Sequence, residues 1–277
     1  MTTTQLDKAR RFQALHQGPG AFIIANPWDA GSARLLAGLG FPALATSSGA
    51  SAGILGRRDG QVTRDEALSQ ARGIVLAVDL PVSADLEKGF GDAPADAAET
   101  IRLAAEAGLV GGSIEDATGD NNKPLFDLGY AAERVAAAVA AARALPFPFT
   151  LTARTENFLR GNPDLDDTIR RLQAFEQAGA DVLYAPGLRT LDQIRTVVSS
   201  VGKPVNVVMT FADPSLTLEQ LAEAGVKRIS IGGSGSRFAL NAFMSAAREM
   251  AEHGSFTFVG ENPPWSELLD GFAKGRG

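Results

Sequence analysis

Short apolar runs and helix-like stretches alternate along this chain, and that alternation constrains the fold more than any other feature. The runs are AFIIAN (21–26), ALATSS (43–48), PVSADLE (81–87), GGSIED (111–116), FTLTART (149–155), DVLYAPG (181–187), PVNVVMT (204–210) and RISIGGS (228–234). These eight runs are spaced about 20 to 40 residues apart. Between them, ADAAETIRLAAEAG (95–108), GYAAERVAAAVAAARAL (129–145) and DLDDTIRRLQAFEQAGA (164–180) have helical periodicity or composition. The last opens on acids and closes on AGA, as a helix dipole and a glycine stop favour. AGLGFPAL, AGLVGGSI, AGADVLY and AGVKRISI each read as helix end, tight turn and next strand. Alternating units with nearly continuous apolar strands imply an α/β fold with a parallel sheet. Eight such units predict a (β/α)8 barrel, with an open doubly wound sheet as the rival. No break in composition divides the chain, so residues 1–277 are read as one domain. Residues 1–20 open it with an amphipathic helix, LDKARRFQALH, and residues 262–277 close it with a helical tail.

The bulk numbers narrow the function. With 45% hydrophobic residues the chain can bury a sizeable core. A net charge of −6 points to neither nucleic acid nor an anionic membrane as partner. There is no cysteine, which excludes disulfides, thiolate nucleophiles and cysteine metal sites. No apolar run reaches membrane-spanning length and the first residues lack a leader-type apolar segment, so a cytoplasmic protein is expected.

Catalytic groups of such a barrel sit at the C-terminal ends of its strands. The third run ends in Asp85 and Glu87, which share a face if the strand continues through them, with Leu86 turned to the outer helices. Gly89 and Gly91 then let the loop bend close to the site. The fourth run ends in Glu115, with Ser113 on its face, and the fifth aligns Thr150, Thr152 and Arg154. Ser47, Ser48 and Gly49 close the second run, and ILGRRDGQ adds Asp59. Carboxylates so close repel one another, and a hard divalent cation relieves that repulsion. An all-oxygen donor set suits Mg2+. Arg154 offers a planar fork to a substrate carboxylate. Taken singly, each residue has a plainer reading: the acids as loop or helix caps, Arg154 as an ion pair with Glu156 or Asp85.

Other features are weaker. SIGGSGSR (230–237) before a helix can be a phosphate cradle or simply a tight turn. His16 and His253 fall in outer helices, which argues against a histidine base. Lys203 and Lys227 precede strands, while Lys88 and Lys123 lie on the mouth side.

The ordered series TSSGAS, LGRRDG, ADLEKGFGD, GGSIEDATGDNNK and LTARTENF resembles the isocitrate lyase/phosphoenolpyruvate mutase superfamily from about residue 21 to 250. The resemblance implies a (β/α)8 barrel, Mg2+, and a small 2-oxo or 2-hydroxy carboxylate substrate handled through an enolate. By motif, Asp85 resembles the direct Mg2+ ligand, with Glu87 and Glu115 holding it through water. Asp59 resembles the aspartate near the reacting bond. The turn Ser47–Ser48–Gly49 and Arg154 resemble the substrate-binding groups. Two departures stand out. Glu87 occupies a position more often aspartate, and the loop after Glu115 lacks the cysteine motif of the isocitrate and methylisocitrate lyases. Asn121, Asn122 and Lys123 resemble instead the gating-loop groups of the mutase and phosphonopyruvate hydrolase branch, with a polar surface turn as the plainer reading. The expected activity is a Mg2+-dependent C–C lyase or decarboxylase. The alternatives are a P–C enzyme, phosphonopyruvate mutase or hydrolase, and a non-catalytic 2-oxoacid binder.

In the tail, Trp265, Leu268, Leu269 and Phe272 form one apolar helical stripe after Pro263 and Pro264. The superfamily exchanges a late helix between barrels, so a homodimer or homotetramer is expected, with the stripe on a neighbour. Its own barrel is the other surface it can cover.

Overall fold

The computed structural model describes residues 3–275. Residues 1–2 and 276–277 of the two predicted terminal segments lie outside them. The strands are β1 (Phe22–Ile24), β2 (Leu44–Ala45), β3 (Val82–Asp85), β4 (Gly111–Glu115), β5 (Thr150–Arg154), β6 (Val182–Tyr184), β7 (Val205–Val208) and β8 (Arg228–Ser230). The helices are α1 (Gln5–Gln17), α2 (Ala30–Gly38), α3 (Ser48–Ile54), α4 (Arg64–Ala77), α5 (Pro94–Glu106), α6 (Leu128–Arg143), α7 (Leu165–Gln177), α8 (Leu191–Ser199), α9 (Leu218–Glu223), α10 (Ser234–His253) and α11 (Trp265–Lys274).

Each strand lies inside one of the predicted runs and is shorter than it. All neighbours pair in parallel, in the order β1-β8-β7-β6-β5-β4-β3-β2. A parallel bridge between Ala25 and Leu44 joins the ends of that order. The eight strands thus form a nearly closed (β/α)8 barrel, and the open doubly wound sheet is set aside. The helix ends follow local chemistry. Thr63 with Glu66, Thr190 with Gln193 and Thr217 with Gln220 form reciprocal capping boxes at the starts of α4, α8 and α9. Gly108, Gly179 and Gly225 of the AG repeats take φ of 92°, 98° and 84°, the left-handed turn that returns the chain to the next strand.

The core lies between the strands and the outer helices, and includes Leu86, Ile114, Phe149, Leu151, Leu172 and Phe175. A second cluster closes the barrel floor, where Phe12 of α1 meets Phe22, Ile24 and Val110. A Cβ on Gly111 would sit 2.7 Å from the Phe12 ring, so the plug is tight.

Within the single chain the C-terminal tail lies on one of the two surfaces that the sequence allows. Helix α11 packs on α2 of its own barrel: a Cβ on Gly38 would meet the Gly271 carbonyl at 2.8 Å, and one on Gly31 would lie 3.8 Å from Phe272. Leu268 and Phe272 are half-buried, while Trp265 and Leu269 stay exposed. The helix left without a barrel is α10, in which only Ser236 is buried and Phe238 is 81% exposed. Among the described residues no helix is long and apolar enough to cross a membrane.

Candidate active site

The charged groups gather where the strands end. Asp85 is the last residue of β3. Its Oδ2 accepts the Ser48 N–H at 3.3 Å and Nη1 of Arg154 at 3.2 Å. The strand does not continue to Glu87, contrary to the sequence reading. Glu87 sits in a turn with φ of 48°, and its N–H donates to Asp85 Oδ1 at 3.2 Å. The two carboxylates face one mouth because of that turn, not because of strand alternation. Leu86 is buried in the core as expected. Phe90 is also left-handed, at 58°, and such backbone in a non-glycine residue persists only where its surroundings fix it.

The surroundings here are Arg134 of α6, fully buried at 0% exposure. Its guanidinium donates to the carbonyls of Gly91 at 2.8 Å, Asp92 at 2.9 Å and Glu115 at 3.2 Å, and to that of Lys88. It also lies 4.5 Å from the centre of the Phe126 ring. Gly89 has φ of 85°, and a Cβ there would meet Ala97 Cα at 2.9 Å. Only glycine fits that approach of the turn to α5.

Arg154, at the end of β5, is the centre of the charge network. Its Nε donates to Glu156 Oε1 at 2.5 Å, and its Nη1 lies 3.4 Å from Glu115 Oε2. Its guanidinium carbon is 5.2 Å from the centre of the Tyr184 ring. Burial pushes Glu115 well above the ordinary carboxylate range, against the pull of Arg154 and with the repulsion of Glu156 and Asp85. Burial also raises Glu87 to about 7, helped by Asp85 and Asp59. Asp59 is raised because surrounding protein strips water from its carboxyl and Asp85 repels it. The residue as a whole is exposed, which limits the size of that shift.

Two spaces that share Arg154 as a wall adjoin the site. A cavity of about 540 Å³ at the mouth is lined by Ser48, Asp59, Glu87, Lys88, Glu115 and Arg160, among others. A small one of about 50 Å³ lies beneath it in the lumen, bounded by Ser47, Asp85, Arg154 and Arg228. Gly49 faces Asp59, whose Oδ2 would be 3.5 Å from an added Cβ. The structure therefore brings together Ser47, Ser48, Gly49, Asp59, Asp85, Glu87, Glu115 and Arg154. It does not bring Asn121 and Lys123 there. Both are exposed on the loop after β4, and Lys123 pairs with Asp127 at 2.6 Å.

Sequence reasoning missed several residues. Asp116, 2% exposed, accepts the Thr155 hydroxyl at 2.9 Å, the Glu156 N–H at 2.8 Å and Arg171 Nη1 at 3.1 Å. Arg171 also donates to the Phe126 carbonyl at 2.9 Å. That network anchors the base of the loop after β4, whose arms meet at an Ala117–Leu125 bridge. The signal for Arg134 was present: it shares a buried helix face with Ala131, Val135 and Ala138. The glycine turn after β8 is no free cradle, because the N–H groups of Ile231 and Gly232 already donate to Asn26 Oδ1 at 2.9 and 3.0 Å.

A hard divalent cation fits this donor set. The facing groups are oxygen acids that repel one another. Among the described residues no group of three His, Cys, Asp or Glu side chains is placed to hold a metal ion by itself, so waters would have to complete the shell, as Mg2+ allows.

A barrel whose strand ends carry this acid cluster is the framework of a lyase or mutase active site. The phosphoenolpyruvate phosphomutase family model matches residues 12–251. The chain belongs to that family, within the isocitrate lyase/phosphoenolpyruvate mutase superfamily. It is 31% identical over 255 residues to oxaloacetate decarboxylase 1 of Pseudomonas fluorescens (strain Pf0-1), covering 89% of this chain and 86% of that one. A crystal structure from Burkholderia cenocepacia J2315, with a provisional lyase/mutase designation, is 58% identical with a TM-score of 0.94, covering 97% and 96% of the two chains. A phosphonopyruvate hydrolase complex with oxalate and Mg++ shares the fold, at 24% identity and a TM-score of 0.86 over 97% and 96%.

Proposed function

We propose that this protein is a Mg2+-dependent carbon–carbon lyase, cleaving or decarboxylating a small 2-oxo or 2-hydroxy carboxylate of the oxaloacetate type. The observation that carries this is geometric: Asp85 ends β3 with the Glu87 turn bonded to its carboxylate, and Glu115 ends β4 beside the arginine that pairs with Asp85, so oxygen acids from neighbouring strand ends face one mouth. Asp85 would hold the ion directly, with Glu87 and Glu115 bonded to its waters. The positive charge at that place would favour an enolate-like oxygen on the substrate. Ser47, Ser48 and Gly49 seat the carboxylate and oxo end. Asp59, at the rim with its raised affinity for protons, exchanges a proton with the reacting carbon. Arg154 fixes the acids in register, and the buried wall around it keeps water from the reacting atoms.

The lack of cysteine separates this chain from the cysteine-dependent lyases. Asn121 and Lys123 act only once their loop folds inward. Ligand-dependent protection of the loop from about Ala117 to Leu128 from protease is the expected sign of that closure. The family description keeps a second reading in view, P–C bond chemistry on phosphonopyruvate. Proton NMR of a panel of 2-oxoacids, 2-hydroxydiacids and phosphonates with Mg2+ separates them. The lyase reading expects a C–C cleavage product from a 2-oxo diacid and none from phosphonopyruvate. No turnover of any compound would leave a non-catalytic 2-oxoacid binder.

The assembly we infer is a homodimer or homotetramer in a cytoplasmic setting. Phe238, Phe243 and Met244 of α10 are 81%, 65% and 44% exposed, an apolar face that a second copy would cover. A light-scattering mass of a single chain at micromolar concentration would refute it.

A further inference from the structure

The arginine that sequence logic assigns to the substrate carboxylate is already engaged. Arg154 gives Nε to Glu156 at 2.5 Å and Nη1 to Asp85 at 3.2 Å, with Glu115 at 3.4 Å. Its side chain is 13% exposed. Arg160, six residues on, presents the opposite picture. It lines the mouth cavity and its side chain is 41% exposed. Its acid neighbours stand off at 3.7 Å (Glu115) and 3.5 Å (Glu156), and among the described residues its guanidinium makes no hydrogen bond within the protein. Held only by these two long ion pairs, the arginine fork can turn toward an incoming oxyanion.

The backbone beneath Arg160 is well fixed. Its N–H donates to the Glu156 carbonyl at 2.9 Å, and the Asn162 N–H closes the turn on the Asn157 carbonyl at 2.9 Å. Asn157, fully buried, is tied to Thr155 at 2.6 Å and to Asp167 at 2.7 Å. A flexible fork on a rigid turn suits capture of a substrate group. The other rim cation, Lys88, is occupied, with Nζ 2.5 Å from both Asp92 Oδ1 and the Thr118 carbonyl.

The geometry points to Arg160 as a specificity-determining residue, binding the oxyanion of the substrate farthest from the acid cluster, while Arg154 serves as a positioning residue for that cluster. This rests on the 2-oxoacid reading above. The far group is a carboxylate rather than a phosphonate. A single planar fork pairs with a planar monoanion, and a dianionic head would face Glu87, Glu115 and Glu156 with one loosely paired cation beside it.

The test uses two unreactive ligands in the presence of Mg2+, measured by calorimetry on the full chain. Oxalate carries the proximal oxygens and no far group; 3,3-difluorooxaloacetate carries both. Arg160→Met should weaken the difluoro compound about 10- to 100-fold, as loss of a charge-assisted hydrogen-bond pair does, and leave oxalate within about twofold. Arg160→Lys should fall between, since it keeps the charge and loses the fork. Tm should fall only slightly for both variants, because the side chain is partly exposed and its two ion pairs are long. Equal loss for both ligands, or loss for neither, overturns the assignment. Tighter binding of phosphonopyruvate than of the difluoro compound, with the same Arg160 dependence, overturns the carboxylate choice. Parent protein that binds neither oxalate nor the diacid defeats the 2-oxoacid reading itself, a result distinct from a failure confined to Arg160.

Discussion

The mouth and the floor of the barrel each bury an arginine, and they do so by opposite means. At the mouth, Arg154 is surrounded by the carboxylates of Asp85, Glu115 and Glu156. At the floor, Arg228 donates only to neutral partners, Asn206 Oδ1 at 2.8 Å and Thr152 Oγ1 at 3.0 Å. Burial pushes the Arg228 guanidinium down to about 10, and its Nη1 has no hydrogen-bond partner. His16, in the α1 plug, keeps company with it. Its Nδ1 donates to the Phe12 carbonyl at 2.8 Å, and its Nε2 is buried without a partner. The floor sets one buried cation, Arg228, among neutral partners and aromatic edges. The mouth is a set of charges that hold one another in place, over a turn with two left-handed residues. The difference teaches where this molecule concentrates its electrostatic tension: at the end where substrate enters.

Breaking the mouth should therefore cost function first. Asp85→Ala should lower turnover by roughly 10³-fold, the several kcal/mol that a metal site contributes to an enolate-like transition state, with far-ultraviolet circular dichroism unchanged. Near-parental turnover would remove Asp85 from the metal site.

The two arginines should then part company in stability. Arg154→Met strands three acids and should destabilise by about 3 kcal/mol in urea unfolding, with activity lost as well. Arg228→Met leaves only neutral groups behind and should stay within about 1 kcal/mol of the parent. Equal losses for the two would erase the contrast between mouth and floor.

The floor has its own pH signature. Burial, with Arg228 adding repulsion, lowers His16 from 6.5 to about 3. The unfolded chain thus takes up a proton below pH 6.5 that the folded chain refuses until about pH 3. Stability is fully present above that window and declines as pH falls through it, by about 2 kcal/mol between pH 7.5 and pH 5. His16→Leu should flatten this part of the curve. An unchanged slope in that variant would remove His16 as its source; the mouth acids Glu87 and Glu115, raised in the folded chain, act with the opposite sign and add stability as pH falls.

The fold was largely legible, because eight apolar runs and their glycine turns are local signals. The mouth was legible in part. Asp85, Glu115 and Arg154 end their strands as alternation predicts. Glu87 reached the same cavity by a different route, since its left-handed turn depends on Arg134, 47 residues later in the chain. Asp116 and Arg171 meet across 55 residues, a distance that no spacing rule spans. The plainer sequence reading of Arg154, an ion pair with Glu156 or Asp85, holds for both partners at once; its third neighbour, Glu115, comes from the end of another strand and was not foreseen. Lys123 looked available in the sequence because its partner, Asp127, reads as an ordinary helix start.

Chelation tests the central claim most directly. The chain, stripped of metal with EDTA and freed of chelator, should show no turnover of an oxaloacetate-type substrate above the spontaneous rate. Adding back Mg2+ should restore turnover in the parent but not in Asp85→Ala. Undiminished turnover by the stripped parent protein, with chelator still present, would contradict the account.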